Sequence, residues 1–403
     1  MLIKKVLLYF VFTIIIINCS FAFQSIPKLS ENAQISLITG APGDQIYAIF
    51  GHSAIRIYDP VAKIDWVYNY GTFDFNAPGF YTNFLKGKLN YFLSVYDFNH
   101  MINNYSYNNQ SLYEQVLNLN HEEKIQIFHF LINNSLPENR YYLYDFFFDN
   151  CSSRIRDVFE KILKDKLVFT DQHIPDHKTF RQLLDEFLYP SPWGDFGMDL
   201  ALGMPADATA TSSEYMYLPF KLFDAFEYAI IRDNDTNTPF VKSTKTIVQF
   251  ISTGKKEPFQ ITPKILFWSL AIIIITFSIF YTKKIRIWNL IDTTLFSIVG
   301  LMSIFLLFLW FGTDHIATKE NYNLLWVSPF YIMIPFLIFQ KNSPRWSANF
   351  FLFWSIFLLL VLTAWNYLPQ NLNPGFIPII IILSTRSFFR YKKSIKNHVE
   401  RKE

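Results

Sequence analysis

Cysteine is nearly absent from this chain: 403 residues hold two, at positions 19 and 151. Two thiols and eight scattered histidines do not make a set of metal ligands, so no zinc motif is present and no cofactor is expected. Charge is also scarce, at 17% of residues with a net value of +3. The basic residues gather beside apolar segments and at the C-terminus, a membrane-topology pattern that argues against nucleic-acid binding. In contrast, hydrophobic residues make up 51% of the chain and aromatic ones 19%, with 44 phenylalanines. That is too apolar for an ordinary soluble domain and fits a membrane protein with an aromatic-rich external part.

The chain opens MLIKK, continues with an apolar run over 6–17, and reaches a small-x-Ala site at Ser20 to Ala22. Residues 1–22 therefore read as a signal peptide. Cys19 raises the question of a lipid anchor, but Asn18 before it fits that processing poorly. Cleavage after Ala22 leaves one cysteine in an export compartment where thiols normally pair, and a lone thiol there points to chemistry.

Residues 23–260 have mixed polarity and read as one extracytoplasmic α+β domain, periplasmic on the resemblance given below. Strands are expected over 35–39, over 47–58 as one or two, and over 65–70. Helices are expected over 111–118 and 120–132, the second opened by a capping box between Asn120 and Glu123. An aromatic strand over 141–148 should run into a helix that starts at Cys151, since Ile155, Val158, Phe159 and Ile162 recur at helical spacing. Further helices are expected over 179–188 and 218–230, with a Pro/Gly-rich loop at 190–194 and a polar linker over 233–256. Residues 261–403 read as an all-α membrane domain of about five transmembrane helices, over 265–282, 290–311, 324–339, 350–365 and 376–389. Alternation from an external N-terminal domain puts Lys283 to Arg286, Lys341 with Arg345, and Arg390 to Lys393 in the cytoplasm.

A thiol in the first turn of a helix sees the positive end of the dipole, which favours the thiolate. Cys151 holds that position, so it is the candidate nucleophile, the alternative being a buried apolar cysteine. Its base should be a histidine, and His52, after Gly51 in an apolar strand pattern, is the best placed of the eight. His121 and His129 lie on a helix and read as surface residues. In the membrane part, Asp314 and His315 fall at the outer end of the second span, where ionisable groups often mark a binding path. Arg56, Arg154, Arg156 and Lys88 are candidates for a phosphate contact.

GHSAIRI at 51–57, VYNYGTFDF at 67–75 and DNCSSR at 149–154, with LGMPAD at 202–207 and YLP at 217–219, together resemble the Lnb-type bacterial lipoprotein N-acyltransferases. The resemblance runs from about residue 35 to 229 and continues in the membrane tail. It implies a permuted papain-like (NlpC-like) domain in which the histidine strand precedes the cysteine helix. It further implies a multi-pass protein of the bacterial inner membrane, a Cys151–His52 catalytic pair and acyl transfer through a thioester. The donor would be a phospholipid and the acceptor a diacylated lipoprotein. A third residue orienting His52 should come from Tyr68, Asn69 or Tyr70, with Asn69 favoured. Tyr70, Arg56, Asp314 and His315 are the expected substrate contacts. An NlpC-like amidase or peptidase acting on peptidoglycan is the rival on the same scaffold, and a non-enzymatic receptor with a retired site is a third reading.

Overall fold

A computed structural model describes residues 27–399, apart from 44, 46–47, 175, 234–235, 251–260, 282–283 and 341–343. The signal peptide, Cys19 and the end of the expected linker lie outside the described residues. The first half contains β1 (Gln34–Gly40), β2 (His52–Asp59), β3 (Ile64–Thr72), α1 (Phe80–Leu85), β4 (Asn90–Asp97), α2 (Phe98–Tyr107), β5 (Leu112–Leu117), α3 (His121–Ser135), β6 (Tyr141–Leu143) and α4 (Cys151–Leu163). After β7 (Leu167–Val168) come α5 (Phe180–Leu188), α6 (Pro192–Ala201), α7 (Pro219–Tyr228), β8 (Ile230–Asp233), β9 (Thr236–Pro239) and β10 (Val241–Val248).

One sheet organises this half, in the order β10-β5-β1-β2-β3-β4-β6, with every neighbouring pair antiparallel. Side chains alternate across it, and both faces are covered. Ile35, Leu37, Ile55, Ile57, Tyr68 and Tyr70 pack against Ile155, Val158 and Phe159 of α4 and against Phe128 of α3. Ile38, Ala54 and Val67 point the other way and meet Phe98, Met101 and Tyr105 of α2. Each large apolar side chain buried in this way contributes about 1.5–3 kcal/mol.

Four local expectations are corrected. Residues 112–117 form strand β5, paired on both sides by β1 and β10, in place of the helix expected over 111–118. The aromatic strand ends at Leu143, because Asp145 Oδ1 accepts from Phe147 N (2.9 Å) and Phe148 N (3.0 Å) and turns the chain. Pro192 occupies the first turn of α6, so the expected loop becomes a helix. The polar stretch after Asp233 supplies β9 and the edge strand β10.

The second half comprises α8 (Pro263–Phe280), α9 (Ile285–Phe311), α10 (Met333–Phe339), α11 (Trp346–Thr363) and α12 (Ile377–Val399). Among the described residues, α8, α9 and α11 are each long and apolar enough to cross a membrane. Residues 316–325 and 329–339 make a fourth crossing if the pair, bent by 59°, counts as one span. The break falls at Ser328, whose side chain caps the turn at Pro329. The expected fifth segment is the apolar first part of α12, which continues into Arg386, Arg390, Lys392 and Lys393.

One end of this bundle is stapled to the sheet domain by amides. Asn321 Nδ2 donates to Leu200 O (2.8 Å), Asn323 Nδ2 to Asp199 O (2.9 Å) and Gln370 Nε2 to Leu202 O (2.8 Å). Asn373 Nδ2 donates to Asp195 and Asp199, and Arg181, 2% exposed, is held by Asp199 and Asp207. The opposite end carries the basic residues: Arg386 and Arg390 both bond Asp292, and Ser394 meets Ser347 beside Arg345. That distribution satisfies the positive-inside rule.

Candidate active site

Cys151 is the first residue of α4, and the residue before it fixes its direction. Asn150 Oδ1 accepts from Ser152 N (2.8 Å) and Ser153 N (3.0 Å), while Ser153 Oγ accepts from Asn150 N (2.8 Å). Asn150 Nδ2 also donates to Phe146 O (2.8 Å) and Tyr217 O (2.9 Å), which ties the elbow to the chain on both sides. Two of the orphan N–H groups at the helix start are consumed by this cap. The Cys151 N–H takes no part in it. The sequence signal for this start is an asparagine followed three residues later by Ser153, a capping pattern.

His52 opens β2. Gly51 before it has φ +79°, and a Cβ there would lie 2.6 Å from Gly40 O, so only glycine can start the strand with this aim. The imidazole Nε2 is hydrogen-bonded to Asn69 Oδ1 on β3. Asn69 Nδ2 in turn donates to Thr72 Oγ1 (3.2 Å), which meets Ser94 Oγ at 2.7 Å. This chain orients the amide so that its oxygen faces the ring.

Cys151 and His52 come from opposite faces of the sheet and meet at Gly71. The β2–β3 register, continued from Ile55 opposite Tyr68, sets Gly71 across from His52. A Cβ on Gly71 would sit 3.6 Å from Cys151 Cβ and 3.9 Å from His52 Cε1. In the sequence Gly71 is marked only by its place just after the expected strand over 65–70. A cavity of about 600 Å³ lies on the His52 side, bordered by His52, Asn69, Gly71, Thr72, Asn104 and Tyr105.

Burial pushes the Cys151 thiol up, but the His52 charge and hydrogen bond, the Ser53 N–H and the Ser152 hydroxyl outweigh it and lower the thiol below its usual range. Burial likewise lowers His52, but the Cys151 thiolate and its hydrogen bond, together with Asn69, raise the ring above its usual value. The lowered thiol contributes stability above the ordinary thiol range, which is lost as pH falls through its folded value. The raised imidazole contributes below its ordinary value, and loses that contribution as pH rises through its folded one. Both shifts favour the thiolate and the imidazolium over the neutral pair. Alkylation of Cys151 by iodoacetamide, followed on its peptide by mass spectrometry, should stay fast below the pH at which free thiols slow. His52→Ala should move that profile to higher pH, because it removes two of the effects that offset burial.

The four expected substrate contacts lie elsewhere. Tyr70 points to the opposite face of the sheet, is 1% exposed, and its hydroxyl donates to Asn134 Oδ1 (2.6 Å). Arg56 is committed to Asp65 (2.7 and 2.8 Å) and Glu114 (2.9 Å), with its guanidinium 3.8 Å from the Phe98 ring centroid. It is a strap between strands, not a phosphate ligand. Arg56→Ala should cost about 3 kcal/mol in denaturant unfolding, the low end for breaking a buried pair, because it strands Glu114 while Asp65 keeps some solvent. Asp314 and His315 dock on the turn after α1: Asp314 N donates to Lys86 O (2.9 Å) and the His315 ring meets Phe84 O (3.0 Å). Arg154 is paired with Asp149.

Among the described residues, Asp185, Asp195 and Asp199 form the one group of metal-type ligands, with oxygens within 4.8 Å of one another. Asp199 is already bound by Arg181 and Asn373, and Asp195 by Asn373, so the cluster belongs to the seam with the helices. Burial and the carboxylates of Asp199 and Asp195 push Asp185 up to about 7.

Two family models match the chain. The Lnb N-terminal periplasmic domain covers residues 29–186, with the whole Cys151–His52–Asn69 arrangement inside it, and the Lnb transmembrane domain covers residues 254–398. The chain belongs to the Lnb family. No curated protein and no solved structure matches it. Membership makes it a membrane-associated, lipoprotein-processing protein, with a periplasmic sheet domain and a helical transmembrane domain in the Lnb order. The seam from Asn321, Gln370 and Asn373 ties the Lnb transmembrane part to α6 and Leu202, in the stretch between the two matched parts.

Proposed function

We propose that this Lnb protein is a cysteine-dependent acyltransferase with a permuted papain-like site, and that it N-acylates the N-terminal cysteine of bacterial lipoproteins. The observation that carries this reading is the alignment of Cys151 at a helix start, His52 beside it and Asn69 behind His52. The Cys151 thiolate attacks an ester carbonyl of a phospholipid, and the Cys151 N–H faces the developing oxyanion. The ester C–O bond breaks, the His52 imidazolium gives its proton to the departing alkoxide, and a lysophospholipid leaves. The free α-amine of a diacylated lipoprotein then attacks the thioester. His52 takes the amine proton, the C–S bond breaks, and the amide forms with the thiolate regenerated. Nothing is oxidised or reduced.

Attachment to the membrane helices supports a lipid donor and a lipid-anchored acceptor, both of which lie at the bilayer surface. On this account residues 23–260 form the periplasmic catalytic domain and 261–403 the inner-membrane domain. The reading is tested by mass spectrometry of a lipoprotein N-terminal peptide from cells that lack their own N-acyltransferase. A third acyl chain should appear when this protein is expressed. An unchanged diacyl peptide, with membrane expression shown, would remove the reading. Release of cleaved wall peptides would instead favour the amidase alternative.

Asn69 positions His52 without touching substrate. Asn69→Ala should lower kcat about tenfold with KM little changed, since it frees the ring to turn, a loss on the order of 1.4 kcal/mol. Asn69→Gln should not rescue it, because the longer amide cannot keep both the ring and the Thr72 hydroxyl.

A further inference from the structure

The segment between β3 and β4 is a surface of unusual composition for a domain outside the membrane. Phe75, Tyr81, Phe84 and Leu85 are 57%, 71%, 50% and 44% exposed. Helix α1, with the sequence FYTNFL, carries no charge, and Lys86 and Lys88 follow it directly. Large apolar side chains exposed together, with lysines at the margin, fit a surface that enters a lipid interface.

Two independent observations say what lies against it. The first is its position. The turn after α1 is bonded to the loop that leaves the outer end of α9, through Asp314 N to Lys86 O (2.9 Å) and the His315 ring to Phe84 O (3.0 Å). Lys88 Nζ adds an ion pair with Asp314 at 3.7 Å. Helix α9 is one of the helices able to span a membrane, and its last residue, Phe311, is 72% exposed. The α1 rings are therefore held beside a spanning helix at its outer end, level with lipid. The second is continuity with the thiol site. Phe73 borders the cavity beside His52, and from it a series of rings leads outward. Phe73 lies 4.8 Å from Phe75, Phe75 lies 5.0 Å from Phe80, and Phe80 stacks on Phe84 at 6.3 Å.

We propose that residues 73–88 are a lipid-contacting ramp: Phe75, Tyr81, Phe84 and Leu85 sit among phospholipid acyl chains of the outer leaflet, at the mouth of the path to Cys151. The occupant is a bilayer lipid, whose tail matches uncharged rings and whose headgroup matches the lysines behind them. The inference deepens the acyltransferase reading by naming how an acyl chain reaches the thiol, and it rests on that reading for its purpose.

The test places p-benzoylphenylalanine singly at positions 75, 81 and 84 of the full chain, in vesicles of phosphatidylethanolamine and phosphatidylglycerol with alkyne-tagged acyl tails. Position 61 is the control, because Val61 is 63% exposed in the β2–β3 turn, at the end of the strands away from His52. After illumination, tagged-lipid adducts should be severalfold more abundant at 81 and 84 than at 61. Adducts no more frequent than at 61 overturn the ramp. Thioester formation on Cys151, read in the same vesicles with the unsubstituted chain, keeps the two claims apart. Thioester without adducts discards the ramp and keeps the acyltransferase. Adducts without thioester establish the lipid contact and discard the acyltransferase.

Discussion

Cys151→Ser should lower acyl transfer to lipoprotein by about 10³-fold or more, because it replaces a thiol whose surroundings favour its anion with a hydroxyl. The Ser53 N–H, the Ser152 hydroxyl and the His52 ring all favour a negative charge there and outweigh its burial. A serine hydroxyl at the same place stays protonated, and those groups then stabilise nothing useful. The fold should survive, since the Asn150 cap uses the N–H groups of Ser152 and Ser153 and not the Cys151 side chain. The Tm should therefore stay within about 2 °C of wild type, while the third acyl chain disappears from the lipoprotein peptide. Loss of acylation together with collapse of the Tm would mean that the thiol holds the structure instead of reacting.

Gly71→Val is expected to be the most damaging change at a residue with no reactive group, lowering kcat by about 10²-fold. Two effects combine. Gly71 has φ +88°, a region that costs a β-branched residue about 1–3 kcal/mol. A Cβ alone would make ordinary contacts with Cys151 and His52, at 3.6 and 3.9 Å, but the γ-methyls of valine would enter the space where the substrate carbonyl must approach the sulfur. Gly71→Ala separates the effects, because it carries the backbone strain with little intrusion. Its Tm should fall while most of the kcat is kept. Equal loss of kcat in the two variants would show that strain, not occupancy, governs the site.

Much of the sheet domain was legible from periodicity. Helix α4, the capping box at Asn120 and the antiparallel β2 and β3 follow from short-range patterns, and the structure has them where spacing places them. Residues 111–118 were not, because a short run with Leu112 and Val116 four apart suits a helix as well as a buried strand, and pairing with β1 and β10 decides it. Of the site, Cys151 and His52 were legible as types in suggestive positions, and Asn69 as one of three choices on a partner strand. What separates Asn69 from Tyr68 and Tyr70 is the face of the sheet, which follows from register. Tyr70 is kept from the His52 side for the same reason. Arg56 shares the His52 face but is consumed by Asp65 and Glu114, partners 9 and 58 residues away. The Asp314–His315 loop was correctly assigned to the outer end of a span, but its contact with Phe84 and Lys86 joins residues over 200 positions apart, beyond any local signal.

The central claim is that Cys151 carries the acyl group between two lipids, and the thioester itself is the most direct evidence for it. The purified full-length protein, in vesicles of acyl-tagged phospholipid without acceptor, should accumulate one acyl chain on the Cys151 peptide, seen by mass spectrometry and removed by neutral hydroxylamine. The adduct should be missing with His52→Ala and should vanish from wild type when a diacylated lipopeptide with a free α-amine is added. A Cys151 peptide that stays unmodified while the lipopeptide gains its third chain would contradict the account, because acyl transfer would then bypass the thiol.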